Sequence, residues 1–72
     1  GGSTMIEVLG LCGNTIVFNP YDVHYVQAIE MMGAKCTIVY FYNGRKIFVK
    51  EKYKDVYRRI NDALPEEKKI RR

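Results

Sequence analysis

The chain has 72 residues, with 12 Lys and Arg against 8 Asp and Glu and a formal net charge of +4. That length admits one domain, and a domain of this size buries only about 60% of its unfolded surface, so it is marginal alone and calls for a staple or a partner. A composition 47% hydrophobic and 28% charged excludes a disordered chain, and no apolar run approaches the ~20 residues of a membrane span. Gly1-Gly2-Ser3-Thr4 reads as a cloning remnant ahead of Met5. Met5-Ile6-Glu7 lacks the basic and apolar regions of a signal peptide, so the cytoplasm is expected. The predicted division is a remnant at 1–4, one domain at 5–65 and a charged tail at 66–72.

Residues 5–11 predict a strand. Gly13-Asn14 predicts a two-residue turn, and the β-branched and aromatic run Thr15-Ile16-Val17-Phe18 predicts the return strand. That turn sets Leu11 opposite Ile16 and Leu9 opposite Phe18, all four on one face. Asn19-Pro20 ends the strand, because proline has no N–H for the ladder. Residues 23–32 fit neither period cleanly. A helix capped by Asn19 and stopped by Gly33 is one reading; a strand with Val23, Tyr25, Ile29 and Met31 on one face is the other.

Residues 36–49 carry the clearest signal, two β-branched and aromatic runs flanking Asn43-Gly44. A two-residue turn there pairs Tyr42 with Arg45, Tyr40 with Ile47 and Ile38 with Val49 on one face. Val39, Phe41 and Phe48 fall on the other. A single helix shields one face only, so these three predict an oligomer interface. The competing expectation is that the first hairpin folds over this face and closes a small barrel within one chain. Residues 50–64 predict an amphipathic helix, with Tyr53, Val56, Tyr57, Ile60 and Leu64 on one stripe and an Asp55–Arg59 pair on the surface. Pro65 stops it. The tail, with Lys68, Lys69, Arg71 and Arg72, has one apolar residue and is expected to be dispensable for folding.

The chemistry is sparse. Cys12 and Cys36 are too few and too far apart for a metal site, and small buried hydrophobes are the plain reading. His24 is the one histidine, with no nucleophile or carboxylate predicted to face it. No phosphate-binding glycine loop and no zinc-protease motif is present. Catalysis is therefore not expected, and no cofactor or metal is implied. The candidate contact residues for a ligand or partner are Tyr40, Tyr42, Arg45, Lys46, His24 and Tyr25, where aromatic rings sit beside the basic hairpin tip. Their plain alternative is core and interface packing. The positive excess mildly favours an anionic partner, against a simply solvated surface.

The order of features resembles the FlbD/SwrD family of flagellar and swarming-motility proteins. The shared elements are the opening Met5-Ile6-Glu7-Val8, Leu11-Cys12-Gly13, and Ile16-Val17-Phe18-Asn19. Ile29-Glu30 follows, then Asn43-Gly44-Arg45-Lys46-Ile47-Phe48-Val49-Lys50-Glu51 and the helix with Val56 and Ile60. The family's usual Thr-Arg-Leu-Asn-Gly opening is here Leu9-Gly10-Leu11-Cys12-Gly13, and its Pro-Asp-Thr turn is Met32-Gly33-Ala34-Lys35. A second resemblance is to the strand–hairpin–helix unit of LytTR-type DNA-binding domains. Both imply a strand at 23–32. The first implies a motility-type protein adaptor, the second a nucleic-acid-binding module. Size and charge alone also admit a phage-type decoy that sequesters a nucleotide or host protein. The expectation is a small α+β protein of two β-hairpins, a linking strand and one C-terminal helix, which binds as a homo-oligomer.

Overall fold

The structure is a computed structural model and describes residues 5–70; the expected remnant at 1–4 and the terminal Arg71 and Arg72 lie outside the described residues. Five strands and one α-helix follow in the order β1 (Ile6–Leu9), β2 (Thr15–Phe18), β3 (Val23–Met31), β4 (Ala34–Phe41), β5 (Lys46–Val49) and α1 (Tyr53–Asp62). β1 and β2 form one antiparallel sheet, and β3-β4-β5 form a second, so the fold is α+β as expected. Of the residues 23–32, Val23–Met31 form a strand and Met32 belongs to the turn that follows. A bulge between Val23 and Tyr25 breaks the period of two at the start of the strand, and apolar neighbours at Tyr25-Val26 and Ala28-Ile29 obscure it further on.

Both hairpin registers differ from the expected ones: each loop has three residues instead of two, and the first lies at 11–13 instead of 13–14, which puts Val8 and not Leu11 opposite Ile16. In the β4–β5 loop the Gly44 N–H donates to the Phe41 carbonyl (3.0 Å) and the Phe41 N–H to the Arg45 carbonyl (2.8 Å). This is a three-residue loop over 42–44, a turn followed by a left-handed glycine (Gly44, φ +90°), and not the two-residue turn that Asn-Gly suggests. The loop over 11–13 repeats it: Gly13 (φ +83°) donates to the Gly10 carbonyl and Gly10 to the Asn14 carbonyl. A two-residue turn does occur, at Met32-Gly33, where both residues have positive φ (51° and 80°) between the pair Met31 and Ala34.

One extra loop residue shifts β5 by one place, and a shift of one moves every side chain to the other face. The pairs are Thr37 with Val49, Ile38 with Phe48, Val39 with Ile47 and Tyr40 with Lys46. Val39, Ile47 and Val49 therefore share a face, and Phe48 lies on the opposite one with Ile38 and Tyr40. The grouping of Val39, Phe41 and Phe48 as one oligomer face is thereby overturned. Val39 is fully buried, and Phe41 packs on the core, its ring edge-on to Phe18 at 5.5 Å. The first hairpin covers that face, as the competing expectation had it, without closing a barrel. In β1 the pairs are Ile6 with Phe18 and Val8 with Ile16, so Ile6, Val8 and Phe18 point inward and Leu9 is exposed.

The core joins Ile6, Val8, Phe18, Val23, Val39 and Val49 to Val56, Ile60 and Leu64 of the helical segment. α1 is shorter than the expected 50–64. It starts behind Lys52, which makes no side-chain cap, and ends before Pro65. Arg59 pairs with Glu51 (2.6 Å) and not with Asp55, whose partner is Arg58 at 3.6 Å. Thr37, fully buried, donates its hydroxyl to the Glu51 carbonyl (2.9 Å).

The tail is docked, not free. Past the 3-10 turn Glu66–Lys68, Ile70 is 7% exposed and belongs to the core cluster. Its N–H donates to Asn61 Oδ1 (2.9 Å), and its carbonyl accepts from the Tyr57 hydroxyl (2.8 Å) and Asn61 Nδ2 (3.2 Å). Lys69 Nζ donates to the Asn61 and Leu64 carbonyls at the helix end. Asn61 has no apolar signal that advertises this role.

Two predictions follow from the backbone. Gly44→Val puts a β-branched residue into a left-handed position at a cost of about 1–2 kcal/mol, whereas Met32→Asn, which suits that conformation better, raises stability. Thermal melts should show Tm falling for the first and rising for the second, by roughly 4–8 °C per kcal/mol. The docked tail predicts that Ile70→Ala costs about 2 kcal/mol or more and that deleting 66–72 lowers the melting point; an unchanged melt for the deletion would show the tail to be dispensable.

Candidate functional site

The bulge at His24 turns Tyr25 to the face opposite the core while leaving Val23 buried. Tyr25 lies across from Tyr40 in the register and stacks on it, ring centroids 4.4 Å apart at 16°. His24 meets Tyr25 edge-on at 5.0 Å and stacks on Tyr42 at 4.7 Å and 23°. The result is a continuous ladder, Tyr42–His24–Tyr25–Tyr40, running from the β4–β5 loop onto the sheet. Tyr42 is 69% exposed and Tyr25 43%. The Tyr40 hydroxyl hydrogen-bonds to Gln27 Oε1 at 3.0 Å, which fixes the inner end of the ladder.

Four of the six expected contact residues are thus brought together. Lys46 is opposite Tyr40 and lies 6.0 Å from the Phe48 ring centroid, so it continues the same face. Arg45 does not join the ladder. Its backbone N–H is held by Asn43 Oδ1 (2.9 Å), and it lines a shallow groove of about 460 Å³ with Asn19, Asp22 and Phe18. Lys46 also borders that groove. The ladder can offer ring faces and edges, a phenol at Tyr42, and an imidazole already committed to stacking. Such a surface recognises apolar and aromatic groups and planar amides.

Two features escaped the sequence. Gln27, which holds Tyr40, has no local signal that separates it from any polar residue on a strand. The second is a cleft of about 700 Å³ between the first turns of α1 and the far end of the β3–β4 hairpin, bordered by Ala28, Glu30, Lys35, Tyr53, Lys54 and Arg58. Among the described residues no cluster of three metal-ligating side chains occurs, and both cysteines are free thiols, Cys12 exposed and Cys36 buried. Among the described residues no helix is long and apolar enough to cross a membrane.

Against known proteins, no curated protein and no solved structure matches. A family model described as flagellar and swarming motility proteins matches residues 5–64. That span includes every strand, the ladder and the whole of α1. The chain therefore belongs to the FlbD family of flagellar and swarming motility proteins.

Proposed function

We propose that this motility-family protein is a non-catalytic adaptor in the cytoplasm, which binds a protein partner through the aromatic ladder. The observation that carries the reading is the placing of Tyr42, His24, Tyr25 and Tyr40 in one row of contacting rings on the side of the sheet away from the core. A row built only for stability would be shielded, whereas this one keeps its outer rings in water. Exposed, pre-stacked tyrosines lose little side-chain freedom on binding, which is why Tyr is enriched among the residues that dominate protein interfaces. Lys46 and Phe48 extend the row with a cation and a further apolar ring.

The test separates contact from folding. Tyr25→Ser with Tyr42→Ser removes two exposed rings and their three ring contacts, so stability should fall by about 0.5–1.5 kcal/mol per contact while the circular dichroism spectrum stays native. The same double variant, replacing the natural copy in its host, should abolish swarming at an unchanged protein level. Full swarming with this variant would sink the reading. A photo-crosslinking residue at position 42 should give a protein adduct; an adduct with nucleic acid instead would redirect the function to nucleic-acid binding.

A further inference from the structure

The two outer strands of the structure differ in how they are protected. β2 has four residues and ends at Asn19-Pro20. β3 has nine, Val23–Met31, and among them Glu30 is the one ionised side chain; there is no Lys, Arg or Pro. The bulge at His24 guards one end of this edge, which leaves the regular stretch Tyr25–Met31 as a template for another strand. The phase of the ladder shows which amides are open. The Phe41 N–H points to Arg45, and the Tyr42 N–H donates to the Asp22 carbonyl (3.0 Å), so along β4 the backbone groups of Tyr40, Ile38 and Cys36 point to β3. Their partners Tyr25, Gln27 and Ile29 are engaged with β4. The N–H and C=O groups of Val26, Ala28 and Glu30 point outward from the sheet.

We propose that β3 pairs antiparallel with β3 of a second copy, about a two-fold axis at Ala28. This register sets Ala28 against Ala28 and Val26 against Glu30, so all three open residues of each copy meet open residues of the other. A neighbouring two-fold register, centred on Val26 or Gln27, would draw the bulge at His24 into the ladder and leave an open residue without an open partner. On the side opposite the core, Tyr25 of each copy then meets Met31 of the other, and Gln27 meets Ile29. Tyr25 and Met31 are 43% and 39% exposed in the single chain, and a thioether beside an aromatic ring is a favourable contact. The interface is isologous and therefore closed, which stops the edge from propagating into a fibre. One strand pair buries less than a standard interface, so the dimer is concentration-dependent. Pairing joins the two ladder-bearing faces into one surface. The proposal does not rest on the partner reading above, since its readouts are mass and amide exchange rather than motility.

Sedimentation of the full chain from micromolar to millimolar concentration should show the mass rising from 8.4 kDa to twice that value. Amide exchange at Val26, Ala28 and Glu30 should slow over the same range, while Gln27 and Ile29 stay protected throughout. Ala28→Pro deletes an outward N–H and leaves the β4 ladder intact, so it should hold the chain at 8.4 kDa with a native circular dichroism spectrum. Should that variant fail to fold, Ala28→Lys sets two cations face to face across the axis and should have the same effect on mass. A chain that stays at 8.4 kDa with fast exchange at all three amides overturns the proposal. So does a folded Ala28→Pro or Ala28→Lys variant that dimerises like the parent.

Discussion

The number of residues in the β4–β5 loop decides which side of the sheet becomes the core. Three residues, closed by the left-handed Gly44, bring Val49 opposite Thr37 and Ile47 opposite Val39. The fully buried Val39, Val49 and Thr37 then lie together under Val56 and Ile60 of α1. With one loop residue fewer, Phe48 would point inward and Ile47 and Val49 outward, and the core would lose Val49, which is fully buried beside Val56 and Ile60. The 11–13 loop imposes the same parity on the first hairpin, which turns Ile6, Val8 and Phe18 into that core. Burial of these residues, at roughly 25 cal/mol per Å² of apolar surface, is the main favourable term available to so small a domain.

A core this small leaves the periphery to be fixed by individual bonds. The two sheets meet at a single bridge, Gly10 with Val49, beside the Lys50 N–H to the Leu9 carbonyl (2.7 Å). An added Cβ at Gly10 would stand 2.6 Å from Asn14 Oδ1, so a side chain there would have to turn the Asn14 amide aside. Where strand pairing stops, side chains continue it. Glu51 Oε2 accepts from the Leu9 N–H (3.0 Å), Glu51 Oε1 accepts from Arg59, and Arg59 in turn donates to the Glu7 carbonyl. The Glu51–Arg59 pair is partly exposed, and the Coulomb term of such pairs is small. Its value lies in satisfying the Leu9 N–H and the Glu7 carbonyl on the side of β1 away from β2. At the other end, Asn61 does the same for Ile70, donating to its carbonyl and accepting from its N–H.

The face away from the core has a different logic. Its aromatic row depends on the bulge at His24, which lets Val23 stay buried while Tyr25 turns outward to stack on Tyr40. Without the extra residue, strict alternation would keep Val23 and Tyr25 on the same side. A bulge also bends and twists the strand locally, and bulges recur near functional sites. Here it separates two tasks of β3, burying Val23 in the core and presenting the rings of His24 and Tyr25 on the other face. The matched family span covers both tasks.

The sequence by itself determined a good deal. The α+β class, the approximate places of the hairpins and the helix stripe through Val56, Ile60 and Leu64 follow from local chemistry: turn glycines, β-branched runs and a helical period; the FlbD family was legible as a resemblance in the order of motifs. What it left open turned on single-residue differences of geometry. Asn43-Gly44 announces a turn but fits loops of two or three residues, and that one residue exchanged Phe48 for Ile47 and Val49 at the core. The strand at 23–31 concealed its nature because a bulge breaks the period of two. Ile70 looked like a lone apolar residue in a charged tail, and only the gap beside Asn61 and Tyr57 makes it core. Register, bulge and docking are decided by which arrangement buries the most apolar surface with every backbone group paired, and that comparison exists only between whole folded chains.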